Sequence, residues 1–239
     1  MLLVAGLLAA GCATPGPNHV YAIAEADATV HDLGPSPKNL ASVIAPGERV
    51  LGLAYDYNTD HLFLRIAPQQ VIRVVERPSG KILREMPLPA ELRTENSADL
   101  AIRSRDRHLF AVHPDGRAIA ELTLFGEFVR RLELPNTLGG IDGLAFDQQR
   151  GRLLVLAGNA AHAFDLDGRE LAVVALQSPV HAVSLGYDSD AQHFFVPLVD
   201  GREVGEFDNH GTLVAALPAG ANGPITALDA GPRSFVRVF

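Results

Sequence analysis

From residue 46 onward the chain is a succession of short runs in which apolar and polar residues alternate, each broken by Gly, Asp or Pro. Alternation with period two puts successive side chains on opposite faces of a strand. No window carries a helical apolar stripe bounded by caps. The runs recur in sets of four. One set opens at Leu51-Gly-Leu-Ala-Tyr-Asp56 and continues through His61-Leu-Phe-Leu64, Val71 to Glu76 and Gly80 to Pro87. Equivalent sets open at Asp99, Asp142 and Val183. Leu62, Leu109, Leu153 and Phe194 hold the same place in the four sets, 47, 44 and 41 residues apart. Four strands in about 40–45 residues make the blade of a β-propeller.

The two ends supply the remaining strands. Ile225 to Asp229 and Ser234 to Phe239 lie at one end; His19 to Ala24, Ala28 to Asp32 and Leu40 to Ile44 lie at the other. Two strands from each end are expected to build one shared blade and close the ring, which removes exposed sheet edges. The expected fold is an all-β, single propeller of five blades, each of four antiparallel strands. Six blades would need about 38 residues each, with residues 18–45 forming a blade alone.

The stacked motif resembles the NHL and YVTN propeller repeats in patterns such as Gly143-Leu-Ala-Phe-Asp147 and Phe164-Asp165 followed by Gly168. The resemblance spans most of residues 46–239. It speaks for fold and little for function, because propellers host many unrelated activities.

The chain opens on apolar or small residues ending in Gly11-Cys12, too short a stretch to span a bilayer. Leu8-Ala9-Ala10-Gly11-Cys12 resembles the lipobox of bacterial lipoproteins. That resemblance implies cleavage before Cys12, diacylation of its sulfur and acylation of the new N-terminus, giving a stable membrane anchor. Ala13, rather than Asp, implies the periplasmic face of the outer membrane. No Lys or Arg precedes Cys12, so a start upstream of Met1 is expected. The division is then a signal segment over 1–11, a Pro/Gly-rich tether over 12–18 and the propeller over 19–239. Cys12 is the chain's one cysteine, so no disulfide supports the fold.

Charge narrows the partners. Asp+Glu 28 against Lys+Arg 20 gives −8, which repels phosphate backbones and argues against nucleic acid. Arg outnumbers Lys 18 to 2, read as genome composition rather than anion binding. There is no Trp to stack on bases or sugars.

Features that repeat from blade to blade read as structural. Asp56, Asp147, Asp188 and Asp229 end the first strand of their sets, where a carboxylate accepts N–H groups of the following turn. His61, His108 and His193 start second strands and are expected to lie far apart around the ring. Asp165-Leu-Asp167-Gly168 and Pro114-Asp-Gly116 read as hairpin turns rather than cation loops.

Chemistry is sought where the blades differ. The first positions of the inner strands are Leu51, Asp99, Asp142, Val183 and about Pro224, and nearby loops add Asn96, His181, Asn222 and Thr226. By resemblance, propeller ligands bind where inner strands begin, so Asn96, Asp99, Asp142, His181, Asn222 and Thr226 are the candidate ligand residues of a polar channel mouth. Asp99 and Asp142 are the candidate ligands should the mouth hold a divalent cation. No Gly-x-Ser-x-Gly, His-Glu-x-x-His, Walker or Cys-x-x-Cys motif is present.

Three functions are compatible with these features. The first is a lipid-tethered, non-catalytic binding or scaffold module, monomeric and cofactor-free, with a protein or small-molecule partner. The second is a divalent-metal hydrolase similar to propeller lactonases, in which the ion polarises a carbonyl. The third is a glycan binder or glycosidase.

Overall fold

The computed structural model describes residues 19–25, 27–34, 39–41, 43–96 and 98–231. The lipobox, Cys12 and the tether lie outside the described residues, as does the strand expected at Ser234 to Phe239. Twenty strands and two single 3-10 turns, Ala90–Leu92 and Asn136–Leu138, make up the regular structure of the described residues. The strands form five separate four-stranded antiparallel sheets, and these are five propeller blades.

Blade 1 comprises β4 (Arg49–Asp56), β5 (His61–Ala67), β6 (Val71–Glu76) and β7 (Lys81–Pro87). Blade 2 comprises β8 (Leu100–Arg103), β9 (His108–Val112), β10 (Ala118–Thr123) and β11 (Phe128–Glu133). Blade 3 comprises β12 (Gly143–Asp147), β13 (Arg152–Ala157), β14 (Ala160–Phe164) and β15 (Glu170–Ala175). Blade 4 comprises β16 (Gly186–Asp188), β17 (His193–Pro197), β18 (Glu203–Phe207) and β19 (Leu213–Pro218). Blade 5 joins β20 (Ile225–Gly231) to β1 (His19–Ala24), β2 (Thr29–Asp32) and β3 (Leu40–Ala41), in that order.

Among the described residues the ring therefore closes with three N-terminal strands on one C-terminal strand, where two on two was expected. The cause is the register: β1 pairs with β20 from His19↔Gly231 through Ala24↔Ile225 and so takes the second-strand place. β20 runs on to Gly231, so Asp229 lies inside its strand instead of ending it.

Strand sequence sets depth in each blade. Inner and second strands face neighbouring blades on both sides and are apolar almost throughout, as in β5 (His-Leu-Phe-Leu-Arg-Ile-Ala). Fourth strands face solvent on one side and at their edge; β19 alternates between half-buried and exposed. The core is accordingly divided into five apolar layers, one between each pair of adjacent blades. Phe110 and Phe146, stacked at 5.6 Å, join blades 2 and 3 in one of them. A ring buried to that degree contributes about 1.5–3 kcal/mol.

Five blades leave a narrow hub, and glycine makes it possible. A Cβ on Gly52 of β4 would lie 2.7 Å from the carbonyl oxygen of Ala98, and one on Gly143 of β12 would lie 2.6 Å from the carbonyl carbon of Ser184. These two glycines allow neighbouring inner strands to approach backbone to backbone.

The repeated polar residues largely take their expected jobs. Asp56 accepts from the Asn58 amide at 3.1 Å, Asp147 from Gln149 and Arg150, and Asp188 from Asp190 and Ala191. Asp165 and Asp208 organise hairpins in the same way. His108 and His193 each meet a glutamate of the next strand in their own blade, Glu121 at 2.5 Å and Glu206 at 2.6 Å.

Candidate functional site

The hub contains two buried carboxylates. Asp99 precedes β8, and its Oδ2 accepts from the Leu144 amide at 2.9 Å, the Ser184 hydroxyl at 2.9 Å and the Leu185 amide at 3.1 Å. Its Oδ1 is buried and has no partner. Asp229 Oδ2 accepts from the Tyr55 amide of blade 1 at 2.8 Å, and its Oδ1 from Ala230 at 2.8 Å. Ser184 links the two regions, since the Oγ that donates to Asp99 also accepts from the Leu228 amide at 3.0 Å. Between them the two aspartates tie down inner-strand backbone around the hub. Burial raises both: Asp99 to about 7, against the pull of its N–H donors, and Asp229 well above the ordinary aspartate value, with the charge of Asp99 adding to it.

Arg65 of β5 lies nearby, fully buried between blades 1 and 2. It donates to the carbonyls of Leu92 and Ala98 and, at 2.9 Å, to that of Val112. Burial lowers its guanidinium to about 10.

At the inlet, where inner strands begin, a cavity of about 200 Å³ is lined by Leu51, Val183 and Pro224, three of the five first positions. His181 and Thr226 line it too, together with Glu25 and Arg49. The remaining candidates do not join them. Asp99 lies buried in the hub. Asp142 Oδ2 accepts from the Gly158 amide at 2.7 Å. Asn96 and Asn222 are engaged through their backbone amides, with Thr94 and Asp27 respectively. Among the described residues no three His, Cys, Asp or Glu side chains converge as the ligands of one metal ion would.

The opposite, outlet mouth holds a larger cavity of about 300 Å³ to which all five inner strands or the turns after them contribute. Blade 1 supplies Tyr55 and Tyr57, blade 2 Ile102, blade 3 Phe146, Gln148 and Gln149, blade 4 Tyr187, Ser189 and Asp190, and blade 5 Asp229 to Gly231. None of the six residues expected at a ligand site lines this mouth. One signal was present: Tyr55, Phe146 and Tyr187 all directly precede a strand-end aspartate, so the aromatics recur at one register.

Side chains brace the outlet mouth from blade to blade. Gln148 donates to the carbonyl of Ile102 at 2.6 Å and accepts from the Ser104 amide at 3.1 Å. Its own amide donates to Ser189 Oγ at 2.8 Å. Gln149 Nε2 reaches Asp190 at 2.8 Å. Tyr57 and Tyr187 are held protonated by burial, which raises both phenols. The cavity thus combines an apolar floor with hydroxyl, amide and carboxylate groups on a braced rim, the usual make-up of a small-molecule site.

No protein-family model matches the chain, and no curated protein matches it. Solved structures do. A chain of the nidogen/laminin complex aligns at TM-score 0.61 and 14% identity, over 89% of this chain and 98% of that one. The glutaminyl cyclase of Myxococcus xanthus aligns at TM-score 0.54 and 18% identity, over 72% of this chain and 71% of that one. A chain of a mitotic checkpoint complex aligns at TM-score 0.51 and 13% identity, over 88% and 77%. At such identities the likeness is one of β-propeller fold alone.

Proposed function

We propose that the chain is a non-catalytic binding module, held by lipid on Cys12 at the periplasmic face of the outer membrane, whose ligand seats in the outlet mouth. One observation carries the reading: every blade contributes to a single cavity of about 300 Å³ whose polar groups are braced across blade boundaries. A site assembled this way is pre-formed, which lowers the cost of ordering on binding. Tyr57 offers a half-buried ring, Gln149 an amide and Asp190 a carboxylate above the apolar Ile102 and Phe146. That combination suits a small ligand with hydroxyl or amide groups on an apolar face, the chemistry of a sugar ring. The lactonase-like alternative has less support, because the carboxylate of Asp99 serves the hub and that of Asp142 caps a loop amide.

Tyrosine fluorescence tests the seat directly, since the chain has four tyrosines and no tryptophan and three of the four line the mouth. Titration with neutral monosaccharides is expected to give a saturable change that Tyr57→Ala abolishes. Opening of a lactone dependent on added Ca²⁺, Mg²⁺ or Zn²⁺ would overturn the non-catalytic reading. The anchor is tested separately: Cys12→Ser is expected to move the protein from the membrane to the soluble fraction, and an unchanged distribution refutes it.

A further inference from the structure

The outlet mouth is continuous, between blades 2 and 3, with a groove of about 540 Å³; the two share Phe146, Gln148 and Gln149. Four guanidiniums line the groove, those of Arg103, Arg105, Arg130 and Arg150. One carboxylate, that of Asp106, lines the groove with them.

The arginines are fixed from beneath. Glu121 takes Arg103 at 2.8 Å and Arg130 at 2.7 Å, while Asp147 takes Arg150 at 3.3 Å. The Glu121 and Asp147 side chains are 3% and 0% exposed, whereas Arg130 and Arg150 remain 42% and 43% exposed. The carboxylates beneath Arg130 and Arg150 are therefore covered while those two guanidiniums are not; Arg103 is itself only 13% exposed. Arg103 is further held 5.3 Å over the ring of Phe110 and pairs with Asp106 at the groove wall. Asp167 lies 3.9 Å from Arg130. Arg105 is exposed and has no ion-pair partner among the described residues. A guanidinium without a carboxylate, beside two others whose counter-ions are buried, is poised for an oxyanion from outside.

We propose that the ligand of the outlet mouth is anionic: its uncharged part fills the mouth, and its carboxylate or phosphate lies in the groove against Arg105 and Arg150. This rests on the outlet mouth being the ligand seat. The arginine excess of the sequence then has a local use on this face.

The experiment is an amide-shift NMR titration of the full chain with methyl glucoside, glucuronate and glucose 6-phosphate, in wild type and Arg105→Ala, at low and at physiological salt. Both charged sugars are expected to shift the amides of Arg105 and Arg150 together with those of Tyr57 and Ser189. They should bind about tenfold more tightly than methyl glucoside, and Arg105→Ala or added salt should remove that advantage. Comparison of the two charged arms identifies carboxylate or phosphate as the preferred group. Equal binding of all three sugars, unaltered in Arg105→Ala, overturns the anion proposal and leaves the mouth as the seat. No shift at Tyr57 and Ser189 with any of them overturns the seat and the proposal with it.

Discussion

Replacing Asp99 with asparagine separates two things that the hub combines, a set of accepted hydrogen bonds and a buried charge. The three well-aligned donors to Asp99 all meet Oδ2, and Oδ1 has no such partner, with only the adjacent Leu100 amide also favouring the charged carboxylate. Asparagine can therefore place its carbonyl oxygen where Oδ2 stands and keep the three bonds, with its amide nitrogen in the partnerless place. Burial raises Asp99 from 3.8 to about 7, roughly three units, or about 4 kcal/mol at 1.36 kcal/mol per unit. The sign follows from which state binds the proton more tightly. The folded state does, so the stability linked to Asp99 is complete below pH ~4, falls as pH rises from ~4 to ~7, and is lost above. Asp229, raised in the same direction, adds to the decline. The unpaired amide of the variant costs about 1–3 kcal/mol. At pH 8 Asp99→Asn should accordingly be about 1–3 kcal/mol more stable than wild type, and at pH 4 no more stable. Urea denaturation from pH 4 to pH 8, with a common slope, measures both. If the stability gained by the variant over wild type does not grow from pH 4 to pH 8, or the variant is the less stable protein at pH 8, the account of the hub is wrong.

Three further outcomes are expected. Asp229→Asn should gain less stability at pH 8 than Asp99→Asn, by about 1–3 kcal/mol, because both oxygens accept backbone N–H groups and the new amide must face one of them, which offsets the relief of the buried charge; a gain equal to or above that of Asp99→Asn would refute this, and urea midpoints decide. Gly143→Ala should cost about 1–3 kcal/mol or more, since the added methyl meets the Ser184 carbonyl carbon at 2.6 Å; a melting temperature unchanged within error contradicts the close approach. Gln148→Ala should cost about 1–3 kcal/mol and speed hydrogen exchange at the Ser104 amide, which loses its acceptor; protection of that amide equal to wild type rules out the brace.

The repeat was legible along the chain because each blade solves the same local problem. Leu62, Leu109, Leu153 and Phe194 recur at one register, and all four are buried on second strands. Turn aspartates such as Asp147 and Asp188 were legible for the same reason, since they bond to amides two and three residues on. The closing blade was read less well. Its strands come from opposite ends of the chain, and only the pairing of β1 with β20 decided which strand fills the second place.

The sites required the closed ring. Asp99 and Asp142 look alike in sequence, both polar at the start of an inner strand, yet one is buried on three donors from other blades and the other caps a loop. His181 and Thr226 share the inlet cavity, whereas Asn96 and Asn222 do not line it. Tyr57, Gln149 and Ser189 gave no sign of belonging together, and they line one mouth because β4, β12 and β16 end around the same axis. Alternation and turn chemistry act over a few residues, so the amino-acid order alone determines strands, turns and blade period. Burial, charge state and convergence depend on which backbone a side chain meets across the hub, and that is decided only when five sheets are drawn into a ring.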